Sequence, residues 1–229
     1  MGDIHDWGPL AEPFRTDPGY LDLLHLRPES AVVVRRIVQL VRSPACVTDL
    51  HIRALLTERN WRPHLVGIIA VLARPRPDVF VVDLWCALDK GSWVSPQLAV
   101  ALFHVDAAFA AEAKRRMSSG SSVQARRYKK GFWSFFSRAF QHTETGPASP
   151  RERSAKNTAA LLQLIEALPL EREWARDARL QPDIAATLAL DRDSSGMLAS
   201  RWDAGLREAV RGLEIPLRDP GSHGVGHSA

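Results

Sequence analysis

Leu55-Leu56-Thr57-Glu58-Arg59-Asn60-Trp61-Arg62-Pro63-His64-Leu65 has a near-copy in Ala87-Leu88-Asp89-Lys90-Gly91-Ser92-Trp93-Val94-Ser95-Pro96-Gln97-Leu98. Each copy runs from an apolar helical stretch through a polar break to a Trp, a Pro and a second apolar stretch. Those second stretches are Leu65–Leu72 and Leu98–Phe103. The period is about 32–33 residues, as in stacked helix pairs, with a one-residue slip between Trp and Pro. Ser95 suits a helix N-cap, and Pro96 a first turn, where a missing N–H costs little. Gly91 suits the left-handed position that ends the preceding helix. Trp61 and Trp93 are expected to fill the gap between the two helices of their own hairpin. A helix with one apolar face cannot bury it alone, so neighbouring pairs must stack.

On Trp61/Pro63 and Trp93/Pro96 the stretch Leu50–Asp106 resembles α-solenoids of the HEAT or armadillo kind. The resemblance implies an all-α fold, a short right-handed stack of antiparallel helical hairpins acting through a concave surface. An irregular helical bundle is the alternative reading of the same residues.

Composition sets the outer bounds. The chain has 229 residues and 45% apolar content, enough for one ordinary core. It contains no apolar run of about 18 residues, so no membrane span is expected. Met1-Gly2-Asp3-Ile4-His5-Asp6 lacks the basic start and apolar core of a secretory signal. Cys46 and Cys86 lack a companion His pattern for zinc and read as small buried hydrophobes, with a reducing cytoplasm as the expected compartment. The formal charge of +4 is modest, and its excess sits in the middle of the chain.

Along the chain, residues 1–19 read as an extended N-terminal arm placing Trp7, Leu10 and Phe14 on the body. Tyr20–Leu26 is a short helix or turn. In Ala31–Arg42, Val34, Ile37, Val38 and Val41 follow helical spacing, and Arg35, Arg36 and Arg42 fall off that face. Val47–Arg59, Pro63–Ala73, Pro77–Lys90 and Ser95–His104 are the four helices of the repeated core, although Val79–Val82 taken alone is strand-like. Asp106–Met117 is a further helix with a basic end. Residues 118–156 form a mobile basic–aromatic insert, its second half a linker from Gln141 to Lys156. Asn157–Leu168 is a helix with Leu161, Leu164, Ile165 and Leu168 on one face. Glu171–Leu213 holds two or three helices around Trp174, Ile184, Leu188, Trp202, Leu206 and Val210. The helical-repeat domain thus covers 20–213, and 214–229 is a disordered tail by composition.

The insert carries the candidate binding residues Arg126, Arg127, Lys129, Lys130, Trp133 and Phe136. Phe132, Trp133, Phe136 and Phe140 share one side of a helix, and the cations come just before it. Four uses compete. The aromatics can be the core of a third hairpin, since Lys130-Gly131-Phe132-Trp133 echoes Lys90-Gly91-Ser92-Trp93. They can lie on an anionic membrane, stack on nucleic-acid bases beside phosphate-binding cations, or anchor a partner protein.

No catalytic residue is assigned. There is no phosphate loop and no nucleophile elbow. Asp191-Arg192-Asp193-Ser194-Ser195-Gly196 lacks the Glu that completes a calcium loop and reads as a turn. His223 and His227 have metal-like spacing in a Gly-rich tail with no helix to align them. No metal or cofactor is expected. His64 and His104 read as satisfied histidines of the two hairpins. The function expected from these residues is a non-catalytic protein-binding or scaffold module. The alternatives are nucleic-acid binding, including a helical-repeat enzyme acting on nucleic acid, and peripheral membrane association through 126–140.

Overall fold

The structure, a computed structural model, describes residues 7–17, 19–43, 47–118 and 149–219. Among the described residues the fold is all-helical, without a strand. The repeated stretch forms four helices: α2 (Asp49–Thr57), α3 (Trp61–Leu72), α4 (Val81–Asp89) and α5 (Ser95–Val105). α2 packs on α3 and α4 on α5; α2 also touches α4, and α3 touches α5. Two hairpins therefore lie side by side, with α2 and α4 in one layer and α3 and α5 in the next.

The second layer is the centre of the molecule. Every residue from Pro63 to Leu72 and from Ser95 to His104 is buried. A helix apolar on all sides must be covered on all sides. A third layer supplies the cover. α1 (Ala31–Arg42) packs on α3, while α7 (Pro150–Glu166) and α10 (Ser195–Ala209) pack on α5 and on each other. α10 also reaches α1. In an open solenoid each hairpin touches only its sequence neighbours. Here a helix from far along the chain returns to close the inner face. α6 (Phe109–Ser118), α8 (Arg172–Leu180) and α9 (Pro182–Leu188) lie around this body: α6 touches α5 and α7, and α8 and α9 touch α7.

α1 occupies the expected span and buries Val34, Ile37, Val38 and Val41, with Arg35 and Arg42 exposed. The Val79–Val82 run goes helical, as a 3-10 turn at Pro77–Phe80 that leads into α4. Gly91 takes φ +75° just after α4, as expected.

Other expectations change. Ser95 is the first residue of α5 and does not cap it; its hydroxyl donates to the Ser92 carbonyl at 2.5 Å. Trp93 is 51% exposed, with the Lys156 ammonium 4.8 Å above its ring, and fills no inter-helix gap. Cys86 is exposed and free, not a buried hydrophobe, because α4 turns that side outward. α7 starts at Pro150, inside the expected linker. Ser149 accepts from the Glu152 N–H at 3.2 Å and Glu152 accepts from the Ser149 N–H at 2.7 Å. That reciprocal capping box, with Pro150 in the first turn, starts the helix. The helix expected from Asp106 starts at Phe109, because the Asp106 carboxylate turns back to accept from the Ala108 N–H at 2.8 Å.

The two ends of the described chain also differ from expectation. The N-terminal arm is a 3-10 turn at Gly8–Phe14 against α1 and α2, not an extended strap. Leu10 is fully buried, and Trp7, Phe14 and Tyr20 form a ring cluster with centroids 4.8 and 4.9 Å apart. Residues 214–219, assigned by composition to a disordered tail, lie along the body with Ile215 and Leu217 packed on the core.

Candidate functional site

The six residues singled out in the sequence, Arg126, Arg127, Lys129, Lys130, Trp133 and Phe136, lie outside the described residues. So do Cys46, His142, His223 and His227. The chemistry that the structure places lies elsewhere, in two buried histidines and one exposed helix face.

His104, near the end of α5, has the look of a general base. Its Nε2 lies 2.6 Å from Asp203 Oδ1 of α10. Arg207, one turn further along α10, donates to the other oxygen of Asp203 at 3.0 Å. A His–carboxylate pair of this kind orients an imidazole for proton abstraction when the second nitrogen is open to substrate. Here it is not open. His104 Nδ1 accepts the backbone N–H of Arg218 at 3.1 Å, and the His104 side chain has no solvent exposure. Because Nδ1 accepts a proton bond, the imidazole is neutral and its proton sits on Nε2, directed at Asp203. Burial holds His104 below its ordinary value against the pull of Asp203. Burial pushes the Asp203 carboxyl up, but the hydrogen bonds from His104 and Arg207 outweigh it and leave the group below its usual range.

The network continues and remains structural. Arg207 donates to the Arg218 carbonyl at 2.8 Å, and Arg218 donates to the Asp106 carbonyl at 2.6 Å. The Asp106 carboxylate accepts the buried Trp85 indole N–H at 2.9 Å. The pair therefore pins residues 214–219 across the end of α5. Its members satisfy one another, the condition under which buried polar groups are tolerated.

His64 of α3 plays the same part between the hairpins. Its Nε2 is 3.0 Å from the Glu58 carbonyl and its Nδ1 is 2.8 Å from Ser92 Oγ. A carbonyl only accepts, so the proton is on Nε2 and the Ser92 hydroxyl donates to Nδ1. Burial pushes the imidazole down to about 4. Both histidines are satisfied, as the sequence suggested. Among the described residues no cluster of three or more His, Cys, Asp or Glu is arranged to hold a metal, and no helix is long and apolar enough to cross a membrane.

What remains open is the outer layer. Leu50 of α2 is 75% exposed and Val82 of α4 is 71% exposed. Val79, on the 3-10 turn that leads into α4, and Cys86 of α4 are exposed as well. Arg53 joins the two helices. It pairs with Asp83, donates to the Val79 carbonyl at 3.2 Å and lies 5.3 Å above the buried Phe80 ring. The charge between the apolar groups is thereby neutralised by a partner from the adjacent helix. Single exposed apolar side chains are ordinary; a group of them on two packed helices is less so. The sequence reading did not single it out, although helical spacing already sets Leu50 opposite Ile52, Leu55 and Leu56 and Val82 opposite Leu84, Ala87 and Leu88.

Comparison with known proteins adds no family: no protein-family model, no curated protein and no solved structure matches this chain.

Proposed function

We propose that the chain is a non-catalytic binding module whose partner is another protein, docked on the outer face of α2 and α4. The observation that carries this reading is the exposure of Leu50, Val79, Val82 and Cys86 around a self-neutralised Arg53–Asp83 pair. The hairpins α2–α3 and α4–α5 are read as two HEAT-like repeats. Their inner face is taken by α1, α7 and α10, which leaves the outer layer for contact. The closed His104 pair supports a role without proton-transfer chemistry. Nucleic-acid binding and membrane association rest on Arg126, Arg127, Lys129, Lys130, Trp133 and Phe136, and they stay as alternatives.

The test is affinity capture with Leu50→Asp/Val82→Asp beside a control, Met197→Asp, placed on α10. The expected result is a partner retained by wild type and control and lost by the double variant at unchanged Tm. Cys86 should lose reactivity toward a maleimide when that partner is bound. Equal capture by both variants would overturn the reading. Binding of a random duplex that falls steeply with salt would replace it by nucleic-acid recognition.

A further inference from the structure

Residues 213–219 cross the end of α5 as a strap with a hinge at its root. The chain leaves α10 through Gly212 at φ +79° and Glu214 at φ +51°. Glycine takes the left-handed region freely, but a glutamate there is strained, so lifting the strap lets it relax. Beyond the hinge, Ile215 and Leu217 are half-buried on the core, while Glu214 and Pro216 are exposed. That alternation is the packing of extended chain on a surface. Both ends are tied by side chains. At the root, Arg42 of α1 donates to the Leu213 and Glu214 carbonyls at 2.5 and 3.3 Å. At the far end, Arg207 donates to the Arg218 carbonyl, His104 accepts the Arg218 N–H, and the Arg218 guanidinium lies 5.6 Å above the Phe103 ring.

One atom decides whether the far tie holds. His104 Nδ1 accepts the Arg218 N–H, and with the strap seated the imidazole has no contact with water. A proton on that nitrogen turns the acceptor into a donor, and two N–H groups then face each other. The charged groups around the ring are Asp203 and Arg207 of α10 and Arg218 of the strap. Burial is the largest influence and holds the imidazole below its ordinary 6.5; Asp203 favours the charged ring, and the two guanidinium groups oppose it. Lifting the strap uncovers Nδ1 and carries the Arg218 charge away. Both changes favour the imidazolium. The lifted state therefore binds the proton more tightly than the seated one, and by linkage the proton favours lifting.

We propose that residues 213–219 are a proton-released strap, seated by neutral His104 and freed when His104 takes a proton at Nδ1. The helical body stays folded in both states. Release uncovers the Phe103 ring beneath Arg218 and frees Ile215 and Leu217 for contact, on a surface separate from the α2/α4 face. The sign follows from the depressed imidazole: seating is at full strength above pH 6.5 and weakens as the pH falls. The limit is about tenfold per pH unit for one proton.

The experiment is amide hydrogen exchange of the full chain between about pH 7 and 5.5, each rate divided by the intrinsic rate at that pH. It is read at Arg218 and, inside α5, at Val100. Protection at Arg218 should fall several-fold across this range and stay below that at Val100 throughout. His104→Gln keeps a donor toward Asp203 but cannot titrate, so it should flatten the Arg218 profile. His64→Gln, at the other buried imidazole, should leave that profile unchanged. The reverse readout does not depend on His104→Gln folding. Ile215→Ser/Leu217→Ser loosens the strap, and the His104 imidazole, followed by its NMR shifts, should then titrate closer to 6.5 than in wild type. A flat Arg218 profile in the wild type would overturn the proposal. So would a profile that matches Val100 or that disappears in His64→Gln, since either marks unfolding of the whole body. An unshifted His104 titration in the double variant would do the same.

Discussion

The two hairpin turns descend from one sequence pattern and end up unlike. In the first, Trp61 is the opening residue of α3 and is half-buried, with the Arg62 guanidinium 4.8 Å over its ring. Asn60 caps the helix by accepting from the Arg62 N–H at 3.1 Å. In the second, Trp93 precedes α5 and stands in solvent, no side chain caps the helix, and the turn is made by the left-handed Gly91. The one-residue slip between Trp and Pro accounts for part of the difference. Pro63 is the third residue of α3 and Pro96 the second of α5, so the slip and the later helix start together move Trp93 two positions outward, out of the first turn. A repeated motif therefore specifies the helices on either side of it more firmly than it specifies the ring between them.

The largest test of this difference is His64, which ties the first hairpin to the second turn through Ser92. Its folded value, about 4, lies below the ordinary 6.5. The native state then holds fewer protons than the unfolded chain. Its contribution is fully present above pH 6.5, is lost as pH falls, and is gone below about 4. The size is about 3 kcal/mol across that window. Urea unfolding between pH 7 and 4 should show the loss, and His64→Gln should flatten much of it. A wild-type midpoint that does not move with pH would contradict the burial of this imidazole.

Next comes Gly91. A Cβ there meets the Arg153 side chain at 2.2 Å and must accept φ +75°. Gly91→Ala should cost about 1–2 kcal/mol, while Asn60→Ala, the corresponding change in the first turn, should cost about 1. Thermal melts of the two variants sharpen the contrast between a turn held by backbone shape and one held by a cap. The smallest effect belongs to the tryptophans. Trp61→Ala should lose about 1–2 kcal/mol and Trp93→Ala no more than about 0.5–1, the worth of its contact with Lys156. Equal losses would mean that the slip does not decide where the ring goes.

Much of the architecture was legible where periodicity and punctuation agree. Ala31–Arg42 and the four core helices follow from apolar spacing, and Gly91 from its need for a left-handed residue. The start of α7 was legible too, as Ser149-Pro150-Arg151-Glu152, but proline and mixed charge outweighed the capping box in the reading. The third layer was not legible. Nothing local tells α10 to return to α5, and the polar groups that meet there are far apart in the chain. His104 and Asp203 look unremarkable until the fold joins them. The one local trace of that return is Gly205 inside α10, which costs about 1 kcal/mol relative to Ala and leaves room for the Leu26 carbonyl.

The return of α10 also sets a timetable. Asp203 follows His104 by 99 residues, so during synthesis α5 emerges with one side uncovered and waits for its lid. At usual elongation rates that interval lasts about 5–20 s. A nascent chain stopped before α10 would present an apolar α5 flank to the cell, and a chaperone acting on this protein would find its longest opportunity there.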